Sequence, residues 1–212
     1  MLLHFGADEL YCGLSTPEWK AHFGDSLWMN RRDPSQANIF SLQDIQNVTE
    51  LAHEHQALVN LTLNTSFYPR KSIAYLSELI DKLVNEIHVD ALIVSDMNLL
   101  IRLSKENLPV RIHLSSLGSC FNSESLEFYM SLGVRRIILP RQLKLSEIRH
   151  LISKANPEME FEVFAINDGC FADGLPNRPC SLCCFGHFRD WGIRQGCQVF
   201  RVCRIYPVSG AA

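Results

Sequence analysis

The 212-residue sequence has no apolar run long enough to cross a bilayer, no glycine-rich phosphate-binding motif and no large excess of one charge. Its longest apolar stretches, such as ALIVS and RRIILP, have the length of strands, whereas a membrane-spanning helix needs about 20 apolar residues. A formal charge of -3 with 47% hydrophobic residues argues against a disordered tail, and against a protein that binds nucleic acid through bulk charge. We therefore expect one well-buried core.

The sequence also lacks the features of an exported protein. Its first residues, MLLHFGADELYCG, do not show the basic segment followed by an apolar segment that a signal peptide requires. Disulfides persist mainly in exported proteins. We therefore expect a cytoplasmic chain in which clustered cysteines bind a metal or do redox chemistry, with disulfide staples as the alternative.

Strand-like and helix-like segments alternate along the chain. Apolar periodicity predicts strands at 9–14, 57–63, 91–96, 110–116, 134–140 and 160–166. Helical periodicity predicts helices at 42–56, 72–87, 97–107, 123–133 and 146–155. Ser41 and Ser146 are predicted to cap the first and last of these helices, and Gly133 to end the fourth. The stretch between the first strand and Phe40 has no clear period and is expected to be irregular.

Strands joined through helices predict a parallel α/β architecture, as either an open doubly wound sheet or a (β/α) barrel. No G-x-G-x-x-G follows the opening strand, which removes the main signal for the open sheet. The expected fold is therefore a TIM-barrel-like parallel barrel that is incomplete, with about six strands in residues 1–166. A cysteine-rich segment, residues 167–212, follows it.

Polar residues end several predicted strands, which is where the active site of a (β/α) barrel lies. Asn64, Asp96 and Asp168 could orient a polar substrate there, or could instead form caps and turns. Arg141 could bind a carboxylate or phosphate through two parallel hydrogen bonds. His113 could contact substrate from within a strand, or be a hydrogen-bonded core histidine.

Six of the eight cysteines lie between Cys170 and Cys203. Four thiolates converging on one point suit an iron–sulfur cluster. They also suit zinc, because Cys180 and Cys183 form a C-x-x-C pair that Cys197 and Cys203 could complete, although C-x₅-C is an unusual second half. Residue chemistry alone leaves the two metals open. The other two cysteines, Cys12 and Cys120, lie in or beside apolar strands and are expected to be buried fillers.

Five blocks of the sequence resemble peptidase family U32, in the family's order and over roughly residues 6–170. They are GADELYCGL, FSLQDIQNVTELAHEHQALVNLTLNT, DALIVSDMNLL, IHLSSLGSCFNSESLEFYMSLGVRRIILPRQLKLSEI and EFEVFAINDGC. The resemblance implies a TIM-barrel-like fold. It also implies that the chain begins at the family's second barrel strand and that the last strand is missing. The chain is then either a truncated form or one whose barrel a partner chain or a second copy completes.

The family name implies a peptidase, yet the sequence contains neither G-x-S-x-G nor H-E-x-x-H. Members of this collagenase-like family also hydroxylate a tRNA uridine, an rRNA cytidine or a ubiquinone precursor without oxygen. Those members hold a [4Fe-4S] cluster, and prephenate is implicated as the hydroxyl source for the RNA enzymes. The resemblance implies hydroxylation of an RNA base or aromatic precursor, with a peptidase or a non-catalytic, zinc- or partner-stabilised subunit as alternatives.

The resemblance also implies a set of cluster ligands. Family members have a cysteine soon after the Glu-Val-Phe strand, a second several residues later and a third seventeen positions beyond. Cys170, Cys180 and Cys197 match this order, although the first interval is longer here. Cys203 is the expected fourth ligand, with Cys184 or Cys183 as the alternative.

Overall fold

The computed structural model describes residues 3–24, 27–31, 38–166 and 201–205. The chain divides into two compact units, Met1–Ile112 and His113–Ala212. The division falls within a strand, so one strand contributes residues to both units.

The first unit is a parallel sheet whose strands are joined by helices. In chain order its elements are β1 (Glu9–Leu14), α1 (Pro17–Phe23), β2 (Asn38–Ile39), α2 (Leu42–Glu54), β3 (Leu58–Leu63), α3 (Ile73–Asp81), β4 (Ala91–Val94) and α4 (Met97–Glu106). A π-helical turn, Lys82–Glu86, continues α3. β1 pairs in parallel with β2 on one side and β3 on the other, and β3 pairs in parallel with β4.

The second unit repeats this alternation and ends with a reversed strand. Its elements are β5 (Arg111–Leu114, shared with the first unit), α5 (Ser123–Ser131), β6 (Arg136–Ile138), α6 (Leu145–Lys154), β7 (Glu160–Ile166) and β8 (Arg201–Ile205). β5, β6 and β7 are parallel neighbours in that order. β8 lies antiparallel to β7, with Cys203 opposite Val163.

The predicted parallel α/β arrangement is confirmed, and each of the six predicted strands is present. Among the described strands, β2 of the first unit and β8 of the second each have a single sheet neighbour, as expected for an incomplete barrel. The predicted domain boundary at residue 166 adjoins residues outside the described part of the chain and stays a prediction.

The stretch expected to be irregular contains a helix and a short strand. Thr16 caps α1 because its side chain accepts a hydrogen bond from the Trp19 backbone N–H at 3.1 Å, and Pro17 occupies the first turn. This Thr-Pro pair was a readable helix-start signal. Trp19 is buried and donates from its indole nitrogen to the Leu27 carbonyl at 2.6 Å, which fixes the chain after the helix.

The predicted caps were partly right. Ser41 caps α2 by accepting from the Asp44 N–H at 3.0 Å, and Gly133 follows α5 with φ +80°. The Ser146 cap was wrong, because α6 already begins at Leu145. The Glu147 side chain accepts from the Lys144 backbone N–H at 2.7 Å, which satisfies a donor at the helix start without a serine.

The sheet of the first unit has one apolar face and one partly polar face. Because side chains alternate along a strand, Val59 and Leu61 of β3 lie on the face opposite Asn60 and Thr62. Val59 packs with Ala52 of α2, so the apolar face is the one that the helix covers. On the other face the Asn60 amide donates to a Glu9 carboxylate oxygen on β1 at 3.0 Å, a cross-strand hydrogen bond.

Gly13, near the end of β1, makes room for two asparagines. A Cβ atom there would lie 2.7 Å from Asn30 Nδ2 and closer still to the Asn38 amide oxygen. The Asn30 amide donates to that Asn38 oxygen and, at 3.2 Å, to the Leu14 carbonyl. The absent side chain therefore allows segment 27–31 to close over the end of β1.

We expect Gly13→Ala to lower the free energy of unfolding by about 1–3 kcal/mol, the usual cost of forcing extra volume into a packed site. Urea denaturation measures this change. Asn38→Ala removes the nearest obstructing group, so the double variant should lose less stability than the sum of the two single variants. Additive losses would contradict the steric explanation.

Candidate functional site

In the first unit, polar groups collect where β1, β3 and β4 end. Asn64 directly follows β3, and its side-chain oxygen accepts from the Arg31 backbone N–H at 3.1 Å. Its carbonyl accepts from the Ser95 hydroxyl, just after β4, at 3.2 Å. Asn64 therefore connects segment 27–31 to the ends of two neighbouring strands. Its predicted contact with substrate is compatible with this place and stays a prediction.

Asp96 is a buried carboxylate that holds two connections together. It caps α4, with Oδ1 accepting from the Leu99 N–H at 2.6 Å. Its Oδ2 accepts from the Tyr68 N–H, in the loop after β3, at 3.1 Å. The capping role that the sequence left open is thus present, and the carboxylate also anchors the neighbouring loop. A further role in orienting substrate stays a prediction.

Tyr68 lies in the loop after β3, at the strand ends where the site was predicted, but the sequence analysis did not identify it. It is buried, packs edge-on against Trp19 at 6.0 Å between ring centres, and donates its hydroxyl to the Met29 carbonyl. Burial, and then the Asp96 carboxylate, raises the pKa of its phenol well above the ordinary value. Tyr68 is therefore a neutral anchor in the loop between β3 and α3. No periodicity identifies it, because it lies in a connection.

In the second unit, a buried ionic group spans β6 and β7. Arg136 is fully buried and donates from Nε to a Glu160 carboxylate oxygen at 2.7 Å. A second guanidinium nitrogen approaches Glu162 at 3.4 Å. Burial raises the pKa of Glu162, Arg136 opposes that rise, and Glu160 adds to it. The sequence analysis did not identify this group, because RRIILP and EFEVFAI are mainly apolar and no local pattern pairs the arginines of one strand with the glutamates of the other.

His113 lies beside this ionic group. It is fully buried on β5, and the sheet register places it opposite Arg136 on β6. Neighbouring residues in register share one face of a sheet. The structure therefore places this predicted site residue in the interior of the second unit, next to a buried cation.

Arg141 follows β6 and packs over an aromatic ring. Its guanidinium carbon lies 4.2 Å from the ring centre of Phe164 on β7. The Leu139 N–H donates to the Glu162 carbonyl at 2.8 Å, so the two strands are held in register next to this contact. A stacked guanidinium retains in-plane donors whose geometry matches carboxylate and phosphate groups. Stacking therefore orients Arg141 at the predicted rim.

The remaining predicted site residues lie outside the described residues, except for the backbone of Cys203. This applies to Asp168, Cys170, Cys180, Cys183, Cys184 and Cys197. Among the residues that the structure describes, no group of three or more His, Cys, Asp and Glu side chains could hold a metal ion. The described part of the chain also contains no helix with the length and apolar character to span a membrane.

The two cysteines outside the cluster have the expected character of fillers. Cys120 is buried and Cys12 is mostly buried on β1. Burial raises the pKa of the Cys12 thiol to about 11 and that of Cys120 to about 12. Both therefore remain protonated at neutral pH, whereas metal binding needs a thiolate.

Comparison with known proteins identifies the family. The model of peptidase family U32 matches residues 1–176. The chain belongs to peptidase family U32. It is 32% identical over 171 residues to tRNA hydroxylation protein P of Helicobacter pylori, covering 80% of this chain and 36% of that protein. It is 30% identical over 173 residues to an uncharacterized protease of Methanocaldococcus jannaschii, covering 80% of this chain and 38% of that protein.

A solved U32 peptidase supports the fold. Its similarity has a TM-score of 0.52 at 12% identity and covers 74% of this chain and 68% of that chain. The match to each of the two relatives extends over little more than a third of its length, 36% and 38%. The U32 family membership and the barrel-type architecture predicted from the sequence are therefore confirmed.

We expect Glu162→Gln to change how stability depends on pH. A raised pKa means that the folded chain holds the Glu162 proton more tightly than the unfolded chain does. The stabilising contribution is full below the unfolded value of 4.5 and is lost as pH rises through the folded pKa. Since glutamine does not titrate, the stability of the variant relative to the parent should increase with pH.

Urea denaturation at several pH values measures this difference. The series runs from about pH 4 to about pH 8, the range in which carboxyl groups with a raised pKa titrate. Glu158→Gln is the matched control, because Glu158 pairs with Arg135 at the surface, where ion pairs contribute little. A stability difference that stays constant with pH, or an equal slope in the control, would contradict a buried, proton-holding Glu162.

Proposed function

We propose that this chain is the barrel portion of a U32 protein that supports oxygen-independent hydroxylation of an RNA base. The observation that carries the proposal is the 32% identity to tRNA hydroxylation protein P over 80% of the chain. The clustered cysteines support it, since hydroxylation without oxygen needs a redox cofactor and soft sulfur ligands suit iron.

The proposed cofactor is a [4Fe-4S] cluster held by Cys170, Cys180, Cys197 and Cys203, with Cys184 or Cys183 as the alternative fourth ligand. Two arguments favour this set. Cys12 and Cys120 are poor candidates, because burial keeps their thiols protonated. The backbone of Cys203 pairs with Val163 on the strand whose chain continues towards Cys170. Such a cluster would supply electron transfer or hold the oxygen donor.

Residues at the ends of the strands would bind the reactants. Arg141, oriented by its stacking on Phe164, suits a carboxylate of a donor such as prephenate or a phosphate of RNA. In the first unit, Asn64 and Asp96 would orient polar groups of the base, and they already fix the backbone of the surrounding loops. Asp168 is assigned the same role from its position after β7.

A peptidase is the second candidate. The specific observation in its favour is the 30% identity to an uncharacterized protease over 80% of the chain. Against it stands the absence from the sequence of the serine and zinc peptidase motifs G-x-S-x-G and H-E-x-x-H. Two further alternatives are hydroxylation of an aromatic, ubiquinone-type precursor and a non-catalytic subunit that zinc or a partner chain stabilises.

Anaerobic purification of the chain tests the cofactor. We expect about four iron and four sulfide per chain, with broad absorption from sulfur-to-iron charge transfer. Cys170→Ser, Cys180→Ser and Cys197→Ser should each lose this absorption, whereas Cys12→Ala should retain it. Comparing Cys203→Ser with Cys184→Ser and Cys183→Ser identifies the fourth ligand. A colourless chain with one zinc ion would favour the non-catalytic subunit.

The reaction is tested in a host that lacks its own tRNA hydroxylation protein. Cells producing this protein should yield RNA nucleosides with one added oxygen atom, measured by mass spectrometry after digestion. The Cys170→Ser form should not. Unmodified RNA together with cleavage of a protein substrate that survives replacement of all six clustered cysteines would favour the peptidase.

A further inference from the structure

An exposed phenylalanine stands in the anchored loop that links β3 to α3. Phe67 is 63% exposed, although its neighbour Tyr68 is buried. Tyr68 is held at three points, by its backbone N–H on Asp96, its hydroxyl on Met29 and its ring against Trp19. The loop therefore presents the Phe67 ring to solvent from a fixed backbone.

A second exposed apolar side chain starts beside it. Met97, the first residue of α4, is 37% exposed and directly follows Asp96. Because the Asp96 carboxylate accepts from the Tyr68 N–H at 3.1 Å, the backbones that carry Phe67 and Met97 are neighbours. Both lie where parallel strands end, the edge at which barrel proteins bind their substrates.

The same loop carries positive charge and no negative charge. Residues 64–72 read Asn-Thr-Ser-Phe-Tyr-Pro-Arg-Lys-Ser. Arg70 and Lys71 are exposed at the turn that leads into α3, and the Lys71 ammonium lies 5.9 Å from the ring centre of Phe23, the last residue of α1. An exposed aromatic ring and cations carried by one loop are the combination by which proteins bind single-stranded nucleic acid.

We infer that this loop is a contact site for single-stranded RNA, with a base stacked on Phe67 beside Met97 and Arg70 contacting a phosphate. The inference rests on the proposed function, which supplies an RNA substrate, and adds which surface holds it. A lone exposed hydrophobic residue is ordinary on protein surfaces. Here the fixed backbone, the adjoining methionine and the cations provide independent support.

Fluorescence anisotropy with a labelled single-stranded oligouridine tests the stacking. Phe67→Ala in the full chain should weaken binding by about tenfold, as expected for loss of one base–aromatic stack. Phe67→Trp should restore it, and its added tryptophan emission should be quenched by RNA. Phe67→Leu keeps apolar area without a ring and should not restore it. Phe5→Ala is the matched control, because Phe5 is 84% exposed elsewhere in the same unit.

Salt dependence separates the phosphate contact from the stack. Arg70→Ala should reduce the slope of log affinity against log salt by about 0.7, the value for one phosphate contact on a single strand. Phe67→Ala should leave that slope unchanged. Arg149→Ala, which removes an exposed arginine on α6, is the charge control and should change neither quantity.

Two results would overturn the inference. One is equal binding by the parent and Phe67→Ala with no quenching in Phe67→Trp, and the other is an absence of binding by the parent itself. Neither decides the proposed function, which depends on the cluster and on the hydroxylated nucleoside. Conversely, RNA binding through Phe67 by a chain that never holds iron would support this contact and contradict the proposed chemistry.

Discussion

Two hydrogen bonds to one buried carboxylate organise the strand ends of the first unit. Asp96 starts α4 through the Leu99 N–H and holds the preceding connection through the Tyr68 N–H. Because a buried carboxylate is costly unless its oxygens are satisfied, both bonds must form together. Tyr68 then positions Met29 and, through Trp19, the start of the chain after β1. The loop between β3 and α3 and the start of α4 are thus anchored at this one side chain.

The second unit uses a different solution to the same problem of placing polar groups inside a sheet. Arg136 and Glu162 are buried and Glu160 is partly buried on adjacent parallel strands, and no helix cap or loop is involved. Removing one member of such a group leaves an uncompensated buried charge, which costs far more than a surface pair contributes. The interior of the second unit is therefore constrained by the balance of its charged side chains. The strand ends of the first unit are constrained by hydrogen bonds from backbone N–H groups to Asp96.

The sequence predicted the elements well and the site only in part. Strands with apolar runs and helices with a clear period, such as α2 and α4, depend on local burial patterns that one sequence displays. The roles of Asp96 and Arg136 depend on which distant residues the fold brings together, Tyr68 in one case and two glutamates in the other. No local pattern encodes such pairs. Helix α1 was not predicted, although Thr16 and Pro17 are a helix-start signal, because the surrounding stretch shows no helical periodicity of apolar residues.

The short edge strand β2 limits how the sheet of the first unit can pair with strands of other chains. It consists of Asn38 and Ile39 alone, and its pairing with β1 involves only those two positions. An edge strand normally presents a row of unpaired backbone N–H and C=O groups with which a strand of another chain can pair. Proteins limit this risk of aggregation by keeping the edge strand short. With two residues, β2 itself offers little length for indiscriminate self-association. A segment that pairs with β2 must therefore gain most of its binding energy from side chains.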